Sequence, residues 1–346
     1  MYKIGVIEGN GIGPEQMQAT KYVLEATGLP FQWVDIPVAQ SAMEKYGHPL
    51  PQESVKKLRE LKVNIKGPLM VDRMLGRITC VHDDGSSEIY PSINNAIRRE
   101  LNLFVSPRPI KGFPGISGKH ADMDVVIMRE ITEDIYIGWE HQIGDMAAEA
   151  IKVTTREAVT RVTKFSFDYA RKYNRKKVTC VHKANALSIS DGFFLKCFME
   201  VAANYLDIEA DDYFVDAVAF NLAKFPKKYD VLVASNQYGD ILSDLAGGLA
   251  GSLGLAPGAN IGENVAIFEA THGAAPDIAG KGLANPISLI LSGAAMLRHI
   301  GCCEEADNVE NATRKVLSDG KVLTPDLNGT AKTMELAEAI AKAVHQ

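Results

Sequence analysis

The chain has 346 residues, enough for two domains at roughly 100–200 residues each and for a core that needs no disulfides. With 46% hydrophobic and 23% charged residues and a formal net charge of −6, it has a globular composition, and its mildly acidic surface repels phosphate backbones, so no nucleic-acid partner is expected. Its five cysteines are odd in number and lack a CxxC pair, which excludes a disulfide framework and a zinc site and fits a reducing compartment. No apolar run resembles a signal peptide or reaches the length of about 18 residues that spans a membrane; the expectation is a cytoplasmic protein without a membrane partner.

Short β-rich runs alternate with helical patterns, which predicts an α/β sheet protein. In chain order, a strand is expected at 3–8 and a helix at 14–27, with Pro14 in its opening turn and Gly28 just past its end. A helix at 52–61 leads into a strand at 62–66, and strands at 103–106 and 125–128 follow. Next come a helix at 156–173, a strand at 178–182, a helix at 192–203, a strand at 231–234 and a helix at 240–253. A strand at 265–268 and helices at 286–300 and 331–344 complete the pattern. The basic run RKYNRKK (171–177) reads as a helix end. The Gly- and Ala-rich segment 245–262 is expected to be a closely packed helix followed by a loop whose backbone approaches a ligand.

Gly9, Gly11 and Gly13 follow a strand and precede a helix, but Pro14 stands where the dinucleotide fingerprint needs its third glycine. A standard Rossmann fold is therefore not expected, although the loop should approach a ligand. Asp240 and Asp244 are four apart at the expected start of a helix and so share a face, where they repel one another unless a cation intervenes. Oxygen-only ligands suit Mg²⁺ or Mn²⁺. The ordinary alternative is a pair of N-terminal acids favoured by the helix dipole. Asp216, at another strand end, is a candidate third carboxylate.

Arg98, Arg108 and Arg129 fall near the ends of expected elements, where ligands of α/β sheets bind, and guanidiniums grip carboxylates bidentately. For any one of them alone, an ordinary surface ion-pair residue is the better reading. Tyr136 and Lys183 are candidates for proton transfer; the alternatives are an amphipathic core tyrosine and a snorkelling lysine.

Eight blocks in order carry a resemblance: EGNGIGPE (8–15), KGPL (66–69), the stretch 92–108, REITEDIY (129–136), VHKAN (181–185), residues 229–262, FEATHGAAPDIAGKGLANP (268–286) and LTPDLNGTA (323–331). The chain resembles the isocitrate/isopropylmalate dehydrogenases, the β-decarboxylating dehydrogenases, from end to end. The resemblance implies that family's two-domain α/β fold, not a standard Rossmann fold, with a cleft between the domains. Residues 1–98 plus 252–346 would form the large, cofactor-binding domain, and 99–251 the small domain with the dimer contacts and metal ligands. It also implies roles. Arg98, Arg108 and Arg129, with Ser92 and Asn94, would hold substrate carboxylates. Asp216, Asp240 and Asp244 would bind Mg²⁺ or Mn²⁺, and Lys183 with Asp216 and then Tyr136 would move protons. Lys183 and Asp216 would reach the site from the neighbouring subunit, making a homodimer the minimal unit. The cofactor would be held by Ile12, His272, Gly273, Ala274, Asp277, Ile278, Asn285 and Asp326.

Asp277 and Ile278 lie where this resemblance separates NAD from NADP, since an acidic residue accepts hydrogen bonds from ribose hydroxyls and repels a 2′-phosphate. NADP-using relatives carry Lys-Tyr there, and a Tyr and an Arg at the positions of Pro325 and Gly329; NAD is therefore expected. Ser92, Asn94 and Arg98 match the isocitrate pattern Ser-x-Asn-x-x-x-Arg, and burying those polar groups against an isopropyl group would cost about 1–3 kcal/mol. Isocitrate is the expected substrate. Homoisocitrate, 3-isopropylmalate and tartrate-type acids are the alternatives, as is a non-catalytic regulatory subunit. The chain departs from the family in its long 70–91 loop, with the polar run Asp83, Asp84, Ser86 and Ser87, and at Ile131, where isocitrate enzymes carry Asn.

Overall fold

The structure, a computed structural model, describes residues 1–70, 77–82, 84–113, 116, 118–251 and 253–345. The first strand, β1 (Tyr2–Ile7), runs into α1 (Gly13–Glu25), which has Pro14 in its first turn. Then come β2 (Phe31–Asp35), α2 (Gln40–Tyr46), α3 (Gln52–Leu61), β3 (Val63–Lys66), β4 (Ile78–Val81), β5 (Ser87–Tyr90) and α4 (Ile93–Glu100). The middle of the chain holds β6 (Leu103–Lys111), β7 (Asp124–Glu130), β8 (Glu140–Ile143), β9 (Ala147–Ala150), α5 (Arg156–Lys172), β10 (Lys177–His182) and α6 (Ser190–Ala202). It continues through β11 (Glu209–Phe214), α7 (Val215–Lys224), β12 (Val231–Ala234) and α8 (Asn236–Ala250). The last elements are β13 (Pro257–Gly262), β14 (Ala266–Ala270), α9 (Ile287–His299), α10 (Cys303–Asp319) and α11 (Thr333–Val344).

Ten strands form one sheet in the order β11-β10-β12-β7-β6-β13-β14-β3-β1-β2. Its two flanks are parallel, but β6 pairs antiparallel with β7, and β13 antiparallel with both β6 and β14. This mixed centre is incompatible with a standard Rossmann sheet, as the sequence predicts. Beyond it, β4–β5 and β8–β9 are separate two-stranded hairpins.

Side chains alternate across the sheet and feed four apolar clusters. On the β1 flank, Ile4 and Val6 pack under α1, α9 and α11, while Ile7 and Ile267 pack under α3 and α4. On the β10 flank, Val126 and Met128 pack with Phe167 of α5 and Phe198 of α6, whereas Ile127 and Leu232 pack with Leu222 of α7 and Leu242 of α8. Arg108 and Arg129 have the same parity as Ile110 and Ile127, so both emerge on the α8 face. The basic run at 171–177 closes α5 in ion pairs: Arg171 with Asp207, and Arg175 with Asp124 and Asp230.

One expectation needs correction. The segment after α8 does not remain a loop: residues 257–262 form β13 inside the sheet, where a Cβ on Gly262 would lie 2.7 Å from Asn102 O and one on Gly258 3.0 Å from Glu269 O. The glycines at 9–13 lie close against protein backbone. A Cβ on Gly11 would lie 2.0 Å from Ala274 O, and one on Gly9 2.5 Å from Pro68 O. The loop is tied to those neighbours by Ile12 N→Ala274 O (3.0 Å) and Asn10 N→Pro68 O (2.8 Å).

Candidate active site

α8 begins at Asn236, four residues before Asp240, so Asp240 and Asp244 lie in its second and third turns. The helix dipole acts on the first turn and does not account for them there. Gly239 lets the helix sit directly on β7, because a Cβ there would be 2.7 Å from Arg129 Cβ. Arg129 donates to Asn236 Oδ1 through Nε (2.9 Å) and Nη2 (2.7 Å) and ion-pairs with Asp240 through Nη1. Arg108 Nη1 donates to Ser243 Oγ at 2.5 Å and lies 3.4 Å from Asp240 and 3.7 Å from Asp244. One helix face thus presents Asn236, Asp240, Ser243 and Asp244 to two arginines of the sheet.

The third arginine enters from α4. Burial pushes the Arg98 guanidinium down and Arg108 adds to that, while Glu269 and Asp240 pull it back up. Arg98 lies 3.6 Å from Glu269, which also pairs with Lys66 and accepts from Asn260 Nδ2 at 2.5 Å. Burial likewise pushes Arg129 well down, reinforced by Arg108 and Arg98 and opposed by Asp240. Arg108 and Arg129 therefore meet the Asp240–Asp244 pair, and Arg98, held by Glu269, lies within electrostatic reach of it. Ser92 caps α4 by accepting from Asn95 N at 3.3 Å, and Asn94 shares a face with Arg98 one turn on. The buried Asn94 Oδ1 has no hydrogen-bond partner among the described residues, and neither does Arg108 Nε. Such orphaned groups are costly unless a ligand satisfies them.

Tyr136, in a 3₁₀ turn at Ile135–Ile137, places its hydroxyl 3.4 Å from Asp240 Oδ2. Burial first, then Asp240, raise its pKa, which keeps it a proton donor at neutral pH. Lys183 Nζ pairs with Asp216 Oδ1 at 2.6 Å, and that bond holds the Asp216 carboxyl below its usual range. Within one chain this pair stands apart: among the described residues no three His, Cys, Asp or Glu side chains gather as a metal site. The structure brings Asp240 and Asp244 together and leaves Asp216 out. The carboxyl of Asp244 is raised by burial, with Arg108 opposing and Asp240 adding to the shift. A divalent cation would relieve that strain, and the oxygen-only donors fit Mg²⁺ or Mn²⁺.

The expected cofactor residues lie along one seam. Gln16 of α1 contacts His272 Nε2 at 3.1 Å and donates to Asn285 O at 2.7 Å; its own Oε1 is buried and has no partner among the described residues. Asn285 Nδ2 donates to Asp326 Oδ2 at 3.0 Å, and Thr324 Oγ1 to Asp326 Oδ1 at 2.6 Å. Burial lowers the His272 pKa, favouring the neutral ring. Ile12 and Ala274 are buried at the seam, while Gly273 and Asp277 are exposed and Ile278 is half-buried. At Gly329 a Cβ would lie 1.9 Å from Leu323 O, so no side chain fits this loop as folded.

In the unusual loop, Asp83 and residues 71–76 lie outside the described residues, as does position 252 at the expected domain boundary. Asp84 Oδ1 accepts from Ser86 N (2.9 Å) and Oγ (2.6 Å), so these two polar groups build the hairpin turn between β4 and β5. Arg77 donates to Gly138 O at 2.7 Å, joining that hairpin to the Tyr136 turn. Ile131 is buried with Ile93, Ala96 and Ile97 beneath α4. A cavity of about 780 Å³ opens on the opposite sheet face, lined by Pro107, Pro109, Phe165 and Tyr169, and none of the candidate residues lines it. Sequence reading missed Asn236, Ser243, Glu269, Lys66 and Gln16; the first two had a signal in their helical spacing from Asp240, and Glu269 in being a lone charge within the apolar strand AIFEA.

Comparison with known proteins identifies the family and the fold. The profile of the isocitrate/isopropylmalate dehydrogenase family matches residues 3–340. A 3-isopropylmalate dehydrogenase of Archaeoglobus fulgidus is 44% identical over 99% of both chains. A probable mitochondrial NAD isocitrate dehydrogenase subunit alpha of Drosophila melanogaster is 42% identical, over 98% of this chain and 86% of that one. The crystal structure of isocitrate dehydrogenase from Methylococcus capsulatus superposes with a TM-score of 0.91 at 44% identity, covering both chains completely. The chain belongs to the isocitrate/isopropylmalate dehydrogenase family and has its fold.

Proposed function

We propose that the protein catalyses NAD-dependent oxidative decarboxylation of isocitrate to 2-oxoglutarate and CO₂ with Mg²⁺ or Mn²⁺. The observation that carries this reading is the convergence of Arg108 and Arg129 on Asp240, with Arg108 also beside Asp244 and Arg98 close enough to interact electrostatically with Asp240 and Arg108. Guanidiniums beside a carboxylate pair suit a polycarboxylate held together with a divalent cation. The unpartnered Asn94 amide adds a polar, not an alkyl, surface to the substrate side. Relatives of nearly equal identity bear different substrate names, so overall likeness does not decide between acids. Ile131, apolar where isocitrate enzymes carry Asn, is the observation that favours a 3-isopropylmalate or homoisocitrate reading.

Asp240 and Asp244 would hold the cation, with Asp216 of a second copy as the third donor. When bound, the cation draws electron density from the alcohol and ketone oxygens while the nicotinamide accepts the hydride. Lys183, with Asp216, would assist removal of the hydroxyl proton. The arginines fix the carboxylates, so that the departing CO₂ leaves its electron pair at the adjacent carbon. Tyr136 returns a proton there.

Completion by a second copy is supported by what surrounds the separate pair. Ile189 is 88% exposed, Phe220 and Phe225 are each 60% exposed, and Ile241, beside Asp240, is 59% exposed. Both halves of the site therefore lie on apolar surface that a homodimer would cover. We assign 1–98 with 252–346 to a cofactor-binding domain and 99–251 to a domain carrying the dimer contacts; the β10-flank clusters come from 99–251 and the β1-flank clusters mostly from the other segments, which supports that division. Among the described residues no helix is long and apolar enough to cross a membrane.

Purified protein with NAD or NADP, Mn²⁺ and isocitrate, homoisocitrate, 3-isopropylmalate or tartrate tests the reading by absorbance of the reduced nicotinamide. Turnover of isocitrate with NAD that EDTA abolishes is expected. A clear preference for another acid, or turnover persisting in EDTA, overturns it.

A further inference from the structure

Between the two half-sites of one chain lies a buried charge cluster to which the reaction assigns no role. Lys152, on the segment joining β9 to α5, is 13% exposed, and its ammonium sits 3.0 Å from Asp134 Oδ1 and 3.2 Å from Asp191 Oδ1. Both carboxylates are almost fully buried. Each anchors a different half of the chemistry. Asp134 Oδ2 accepts from Gln237 N at 2.9 Å, which supplies a cap for α8 that its own Ser235 does not make. Asp240 is three residues along that helix, and Tyr136 is two residues beyond Asp134. Asp191 Oδ2 accepts from Lys183 N at 2.6 Å and so fixes the backbone of the residue paired with Asp216.

The local backbone needs this support. Asp134 has φ of +73°, a conformation that side chains rarely adopt, so surrounding bonds must hold it: its N–H donates to Val153 O at 3.0 Å, next to Lys152. The Tyr238 ring lies 4.5 Å from the Lys152 ammonium and packs it between the acids. Without Lys152 the two buried carboxylates face one another with no cation between them, and at least one anchor must move.

We propose that Lys152 is a positioning residue that sets the Tyr136–Asp240 half and the Lys183–Asp216 half of one chain together. The inference rests on the shared-site reading above: in a homodimer these halves serve different reaction centres, so Lys152 ties the two centres to each other.

Mixed dimers test it. One chain carries Lys183→Met and the other Tyr136→Phe, so each parent is inactive and the mixed dimer keeps one complete centre. An inactive mixed dimer, with active wild type, overturns the shared-site reading and this proposal with it. Given activity, Lys152→Met is placed in either chain. A fall in kcat of roughly tenfold or more from either placement is expected, with KM for NAD changed less than about twofold and Lys152→Arg restoring most of the rate. An unchanged kcat, or a loss from one placement only, overturns the proposal while leaving the shared site intact. If Lys152→Met does not yield dimers, Lys152→Gln combined with Asp191→Asn, which removes one charge of each sign, is read by the same criteria.

Discussion

The two carboxylate–cation groups of this chain differ in how completely they are built. Asp240 is enclosed by Arg108, Arg129, Ser243, Asn236 and Tyr136, all from the same chain, and the helix carrying it is seated by a glycine against the sheet. Asp216 touches Lys183 on open surface, two-thirds exposed, near exposed apolar side chains such as Phe220. The contrast supports the proposed homodimer, in which a second copy would cover the exposed half. The first half should tolerate little change in geometry, and the second should tolerate change in stability but not in chemistry.

The sharpest break of this comparison is Asp240→Asn. Loss of the cation's anchor should lower kcat/KM on the order of 10⁴-fold, the several kcal/mol that a metal ion supplies, and weaken Mn²⁺ binding in calorimetry. Lys183→Met should cost about 10²–10³-fold in kcat, as for a proton-transfer group, while the thermal midpoint stays within error because the pair is screened by solvent. A large drop in that midpoint would show that the exposed pair is structural. Asn94→Leu should lower kcat/KM for isocitrate by about 10–100-fold, corresponding to the 1–3 kcal/mol of an unsatisfied polar contact, and gain relative activity on 3-isopropylmalate in the same assay. If the ratio of the two acids does not move, α4 does not read the third substituent.

The smallest effect at neutral pH is electrostatic and appears only in acid. Burial raises Glu269, but Lys66 and Arg98 outweigh it and hold its carboxyl at about 2, against an ordinary value of 4.5. A depressed folded-state pKa contributes stability that is complete above the ordinary value and lost as pH falls through the depressed one. Thermal melts from about pH 5 to pH 2 should therefore show a steady loss of stability, flattened in Glu269→Gln. A mutant that melts in parallel with wild type across that range would show that Lys66 and Arg98 do not depend on Glu269.

Sequence patterning recovered the elements whose side chains do what their composition prescribes. Apolar runs such as VLVA became interior strands, and α3 kept the predicted boundaries 52–61. It failed at β13, where PGANIG reads as a turn but pairs on both sides, its two glycines fitting close against Glu269 O and Asn102 O; tertiary pairing overrode propensity. β2 and α10, one at the sheet edge and one rich in charge, carry weak periodic signals and were likewise missed. Within the site, the Asp240–Asp244 spacing was readable because a helix fixes it. The residues around Arg98 were not, since Lys66 and Glu269 lie some 200 positions apart and meet only through the β3–β14 register.

Under the proposed use of NAD, the tight turn at Gly329 divides cofactor choice unevenly across the molecule. Asp277 and Ile278 sit on accessible surface, where one side chain can be exchanged for another without disturbing the main chain. At 329 any side chain meets the carbonyl of Leu323, so a phosphate-gripping arginine there requires the 323–331 segment to be rebuilt. A lineage leaving NAD could thus cross half the distance by point mutation and would meet a conformational barrier for the remainder.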